Sequence, residues 1–367
     1  MCRMRFAISF GAAAAVLLTA APRRAVAKDV ARWTIEIELD GRTIEGRPLA
    51  WSARQVHLLG RDGRLWEFSP SSATKFHKTS STFSSYAASA MRNQLIRELG
   101  RAFEVTSSGH YLVAHPAGER DLWGKRFEKL YRSFVHYFSV RGFRCREPEF
   151  PLVAIIFRNQ QQFMQYAARD GSPVGRAVLG YYSPTSNRVA LFDAGGGRSD
   201  DQQWQQNAET IIHEATHQTA FNTGVHNRFA QQPRWAVEGL GTLFEAPGVW
   251  DSRAHTRRSD RVNHGRLERF RKYAATGKLR GIVGTMIVSD RLFFTSPDLA
   301  YAVAWAFSHW LVETQPRQYS AYLKRVAERP AFEGYSDQQR LADFVAVFGG
   351  KLPMIEARFL RFMKTVE

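Results

Sequence analysis

The stretch from Trp204 to Phe221 holds neither proline nor glycine and carries H-E-x-x-H at His213-Glu214-Ala215-Thr216-His217. On a helix, residues i and i+4 project from one face, so both imidazoles can reach one ion. Ile211, Ile212, Ala215 and Ala220 are apolar and give the same helix a partly buried face. Asp200 or Asp201 can cap its start, and Thr223-Gly224 stops it. Any fold for this chain must therefore bury such a helix while keeping two histidines and a glutamate near a cleft. A chance match is expected in roughly one chain in a hundred of average composition, so the apolar neighbours weigh as much as the motif.

A catalytic zinc needs a third protein ligand and one open position. The extended metzincin pattern would put glycine at 220 and histidine at 223, where this chain has Ala220 and Thr223. The other common source is a glutamate on the next helix. Arg234-Trp235-Ala236-Val237-Glu238-Gly239-Leu240 offers one, opened by Pro233 and closed by Ala246-Pro247-Gly248. As a plain surface residue Glu238 would carry no such role.

H-E-x-x-H followed about twenty residues later by W-x-x-E-G resembles the gluzincin, or peptidase MA-like, pattern. More narrowly, it is similar to bacterial proteins carrying the domain of unknown function 1570. The Y-A-x-A-W-A-F stretch at Tyr301 to Phe307 and the strand-like Gly180 to Phe192 support that likeness, which covers about residues 91 to 315. The resemblance implies His213, His217 and Glu238 as Zn2+ ligands and Glu214 as general base in a zinc metallopeptidase. Glu214 would take a proton from a zinc-activated water and pass it to the leaving amine. Tyr301 is the first candidate for stabilising the oxyanion, with Tyr181, Tyr182, His226 and His309 as others. Glu209 and Glu245 stand one turn before His213 and two turns after Glu238, where they can support ligands.

Two other functions fit the same residues. One is a catalytically silent zinc module that binds the cell envelope; the intact Glu214 speaks against it, because a purely structural site needs no base. The other is a zinc amidase acting on a non-protein cell-wall bond, which motif chemistry does not separate from a peptidase.

Residues 1–27 stand apart from the rest. Arg3 and Arg5 precede an apolar run from Phe6 to Ala21, and Ala25-Val26-Ala27 ends in a small-x-small pattern. That is a signal peptide, and the mature chain is expected in the periplasm or secreted. Cleavage after Ala27 removes four arginines and no acids, so the formal charge of +17 falls to +13. An excess of that size favours an anionic cell-envelope surface, though solvated arginines account for it equally well. No nucleic-acid motif and no later transmembrane segment is present. Arg253 to Arg280 concentrates cations that would line a cleft for an acidic substrate or stay solvated. Cys145 would be the only cysteine left, activated by Arg144 and Arg146 or simply a small buried hydrophobe.

Composition is ordinary for a packed protein, with 44% hydrophobic and 23% charged residues. Residues 28–68 read as a small β-barrel-like module or curled sheet: Trp33 to Leu39 alternates before the turn signal Asp40-Gly41, and Ile44 to Ala50, Gln55 to Leu59 and Leu65 to Phe68 continue the pattern. Residues 69–90 are rich in Ser and Thr and read as a linker. From 91 to 367 the pattern is α+β: a mostly helical, zincin-like catalytic domain with a small mixed sheet. Apolar positions on 122–140 recur at helical spacing, Pro151 to Phe157 is a buried strand, and Gly180 to Phe192 a hairpin. The run at 194–197 lacks the Gly-Lys-Ser/Thr ending of a phosphate loop and reads as a flexible connection. Pro297 to Glu313 puts Leu299, Val303, Phe307, Trp310 and Leu311 on one face. Ser336 and Gln339 form a capping box before a helix ending at Gly349-Gly350.

Overall fold

The computed structural model describes residues 32–118, 123–193 and 201–367, the side chains of 201–207 excepted. The expected leader at 1–27, the glycine run at 194–197, Asp200 and the side chain of Asp201 lie outside the described residues.

Asp40 and Gly41 have φ of 50° and 73°, the paired positive values of a tight hairpin turn. They join β1 (Thr34–Leu39) to β2 (Arg42–Trp51), and β3 (Val56–Gly60) and β4 (Leu65–Phe68) continue the antiparallel run. A fifth strand, β5 (Ala73–Ser80), pairs with β1, so the order is β4-β3-β2-β1-β5. This sheet is open, with β4 and β5 at its edges, in place of the expected barrel-like closure. The Ser/Thr-rich stretch read as a linker supplies β5. Its sequence hides the strand because β5 is an edge held by backbone pairing, and its side chains from Thr74 to Thr79 are exposed. Ile35, Ile37, Leu39, Ile44 and Leu58 form the module's own core.

The second sheet has the order β6-β7-β8-β10-β9 and is mixed. β6 (Phe103–Ser108) and β7 (Tyr111–Pro116) form a hairpin, and β8 (Leu152–Phe157) lies parallel to β7. β10 (Arg188–Phe192) runs parallel to β8 and carries the antiparallel edge strand β9 (Gly180–Ser183). Every residue of β8 is buried, so its alternate side chains serve two cores. Val153, Ile155 and Phe157 face α1 (Ala88–Leu99) and α3 (Gln160–Arg169). Leu152, Ala154 and Ile156 face α2 (Trp123–Ser139) and α4 (Asp201–Thr223).

The remainder is helical: α5 (Arg234–Phe244), α6 (Pro247–Trp250), α7 (His264–Ala275), α8 (Ile282–Val288) and α9 (Arg291–Thr295). These are followed by α10 (Pro297–Thr314), α11 (Pro316–Ala327), α12 (Asp337–Phe348) and α13 (Leu352–Met363). The fold is α+β, an all-β module before a mostly helical body. α10 is buried nearly all round and forms the centre of that body. Gly239 lets α5 lie against it: a Cβ there would come within 2.3 Å of Ser308 Oγ and 2.7 Å of the Ala304 carbonyl. The capping box of Ser336 and Gln339 opens α12 as its sequence indicates. Among the described residues, no helix is long and apolar enough to cross a membrane.

Candidate metal centre

α4 packs Ile211, Ile212 and Ala215 into the core, which leaves His213 and His217 on the side facing α5. Their Nε2 atoms lie 2.9 Å apart, with the rings edge to face. α5 begins after Pro233, and Asp290 accepts a hydrogen bond from the Arg234 amide at its first turn. Arg340 grips the same Asp290 carboxylate with both terminal nitrogens, at 2.7 and 2.8 Å. So anchored, α5 delivers Glu238 Oε2 to 3.3 Å from His213 Nε2 and 3.4 Å from His217 Nε2.

These three atoms form a nearly equilateral triangle. Ligand atoms about 2.0–2.1 Å from a tetrahedral ion lie about 3.3 Å from one another, so the donor set has the size and chemistry of a zinc site. His213, His217 and Glu238 are the group among the described residues that could hold a metal ion. Their side chains are about nine-tenths buried, and His217 Nδ1 is buried without a hydrogen-bond partner. Burial pushes the Glu238 carboxyl up, but the two imidazoles outweigh it and hold the group well below the usual carboxylate range. Burial likewise disfavours a charged His213, and Glu238 and Glu245 reverse that, raising its pKa well above the ordinary value.

Glu245, the residue that ends α5 two turns after Glu238, contacts Nδ1 of His213 at 2.8 Å. This bond assigns the proton to Nδ1 and turns Nε2 toward Glu238. Asn263 donates to the other Glu245 oxygen at 2.6 Å, and Arg266 of α7 lies 3.6 Å from Oε1. Gly241 leaves room for the His213 ring, since a Cβ there would meet Cε1 at 2.7 Å.

Glu214 sits beside the triangle, and its Oε2 accepts the Tyr182 amide of β9 at 2.7 Å. Burial, with Glu238 adding to it, raises the Glu214 pKa against the opposing pull of His213 and His217. Tyr301 of α10 reaches Glu238 and Arg234 with its hydroxyl; burial, then Glu238, pushes its pKa up. The Arg266 guanidinium lies over the Tyr301 ring at 5.3 Å.

Other expected positions fall elsewhere. The Tyr181 hydroxyl bonds Asp170, and that of Tyr182 bonds Asn187, so β9 contributes backbone and not phenol to the site. His309 stacks on Trp305 near Arg258 and Glu313, outside the group. Glu209 is exposed. His226, buried just past α4, stays close enough to feel both His217 and Glu238, its pKa pressed down to about 3 by burial and by His217. Burial pushes the Cys145 thiol up to about 11, so its neighbouring arginines do not activate it. The cations of 253–280 are dispersed: Arg266 faces the site, whereas Arg261 pairs with Glu313 and Arg269 with Asp298.

The residues that sequence reasoning misses are Arg234, Asn263, Gly241 and the Tyr182 amide. Gly241 alone left a signal, a glycine inside a helix three residues past a candidate ligand. Arg234 lies one turn before Glu238, with Nε 3.5 Å from its Oε1.

A family described as "Protein of unknown function (DUF1570)" matches residues 207–333, a span that includes His213, Glu214, His217, Glu238 and Tyr301. A comparison with curated proteins gives no match. Among solved structures, the chain is similar to the crystal structure of a mutant M1 zinc metallopeptidase from Deinococcus radiodurans. The likeness has a TM-score of 0.36 and 13% identity, over 72% of this chain and 51% of that one. The chain thus spans about half the length of that structure, and a likeness of this size carries no functional argument.

Proposed function

We propose that the chain is a zinc-dependent metallopeptidase of the gluzincin type, exported to the periplasm or secreted. The observation that supports this most is the convergence of His213, His217 and Glu238 from two helices, at 2.9 to 3.4 Å, with the Glu214 carboxylate fixed beside them. Zinc held by those three residues would supply a Lewis acid for a scissile carbonyl and lower the pKa of a water.

The chain's own residues account for the proton traffic. The Tyr182 amide occupies Oε2 of Glu214, which leaves Oε1 to take the proton of the attacking water. The raised pKa of this carboxyl suits it to hold that proton and release it to the amine as the C–N bond breaks. Tyr301 keeps its phenolic proton at neutral pH and can donate it in a hydrogen bond to the oxygen that gains charge. Glu245 holds the His213 ring in place throughout.

Elemental analysis of the purified chain should find about one zinc per molecule. Glu238→Ala should lose it, and Glu214→Gln should keep it while abolishing cleavage of a peptide library. A wild-type chain that neither carries nor takes up zinc sinks the proposal. Zinc with turnover confined to a cell-wall amide would move the substrate class, and zinc without turnover on either would leave a structural module.

A further inference from the structure

Two clefts on the flank of the helical body, of about 750 and 830 Å³, share Arg141 as a common wall. Together they are lined by ten lysines and arginines against three carboxylates, Glu128, Asp251 and Glu328. The whole chain has 51 such cations to 34 acids, so this excess is local and not a reflection of overall composition.

Its source in the sequence is a second stripe on α2. While Phe127, Phe134 and Phe138 face the core, Lys125, Lys129, Arg132 and His136 follow one another at four, three and four residues along the opposite side. That stripe runs about 17 Å along the helix axis. Past the end of α2, Arg141 carries it into the second cleft, where Arg144 and Arg317 of α11 continue it. Lys125, Arg144, Arg253 and Arg317 have no carboxylate partner among the described residues.

We infer that this continuous basic groove binds a linear polyanion, a polymer with a phosphate or carboxylate in each repeat. A compact anion would call for cations converging on one point, whereas these are strung out along a helix and beyond it. A flat lipid surface does not match a concave track. A nucleic acid would look for open aromatic faces on which to stack its bases. The rings along the groove, Tyr137 and Phe143, are buried, and Arg141 covers the first at 3.6 Å. The inference stands apart from the metal site and does not need turnover.

The test uses long-chain inorganic polyphosphate and the full chain, with affinity measured across a salt series. Binding should weaken linearly in log–log form as salt rises. Replacing Lys125, Arg144, Arg253 and Arg317 together by Gln should cut affinity by more than about tenfold and flatten that slope. Replacing Arg291, Lys351, Arg358 and Arg361 by Gln, four exposed cations elsewhere, should leave binding within about twofold of wild type. All eight positions are off the core, and unchanged melting and metal content show that each variant is folded. Equal losses in the two variants would overturn the inference, because net charge alone would then explain binding. So would pyrophosphate binding as tightly as the polymer, an oligothymidylate binding more tightly than it, or capture by phosphatidylglycerol vesicles that the groove variant retains in full while polyphosphate binding is weak.

Discussion

A methyl group on Gly241 would press on three atoms of the His213 ring, at 2.7 to 3.0 Å. The ring cannot simply swing away, because Glu245 holds its Nδ1 and is itself held by Asn263 and Arg266. Alanine ordinarily favours a helix over glycine by roughly 0.5–1 kcal/mol, which offsets part of the roughly 1–3 kcal/mol cost of overpacking. Gly241→Ala should therefore melt somewhat lower than wild type in the metal-free state and bind zinc roughly 10–100 times more weakly. Unchanged zinc affinity by competition titration would show that the ring has slack. Glu245→Gln should weaken zinc by a similar factor, through loss of the charge that orients His213, and should also lower stability, because His213 and Arg266 lose a buried counter-charge. His213, Glu214 and His217 were legible because a four-residue spacing on a helix is a geometric statement in itself. The Tyr182 amide was not, since backbone groups carry no mark in the sequence and its place depends on β9 lying beside α4.

At the scale of elements, α2 shows how a carboxylate ties a helix to a turn. Glu128 accepts the His110 amide at 2.9 Å, and also meets the His110 ring and Arg132. Burial opposes the charge, but these bonds outweigh it and lower the pKa below the ordinary 4.5. A depressed folded value means the stabilisation is fully present above the unfolded pKa and drains away as pH falls through the folded one. Glu128→Gln should therefore cost about 1 kcal/mol at pH 7, Arg132 being largely exposed, and the gap to wild type should close as pH falls below the ordinary 4.5 and through the folded value. Urea unfolding at several pH values checks it; a gap that widens in acid would contradict the sign. Gly239 presents the opposite case, an element junction with no charge in it. Gly239→Ala should cost about 1–3 kcal/mol by forcing α5 off α10. Its Gly-x-Gly spacing with Gly241 was visible, but only the packing of α10 says which glycine serves a neighbour helix and which a candidate ligand.

Across the whole molecule, the β module is more than an appendage, because it braces the hairpin that meets Glu214. The Leu65 amide donates to the Thr185 carbonyl in the turn between β9 and β10. Arg228, just past α4, bridges the Gly63 and Pro184 carbonyls at 2.8 and 2.6 Å. Below that turn Arg64 reaches Asp170 at 2.7 Å, whose side chain is 1% exposed and also accepts from Tyr181 and Ser186. The sequence marked the module's first four strands through alternation and the Asp40-Gly41 turn; β5 and this docking left no trace, since exposed edges and long-range ion pairs follow no period. Removing Arg64 would strand a buried carboxylate, the costly half of breaking an ion pair, with two hydroxyls left to soften the loss. Arg64→Gln should thus lower the unfolding free energy by about 2–4 kcal/mol, whereas Arg42→Gln, an exposed cation lining the same cavity, should change it by less than about 0.5 kcal/mol. Because the strain falls on the β9–β10 turn, hydrogen exchange at the Tyr182 amide should quicken in Arg64→Gln before the α5–α10 core loosens. Equal acceleration in both regions would mean the module and the helical body unfold as one unit, and that the brace is part of a single cooperative fold.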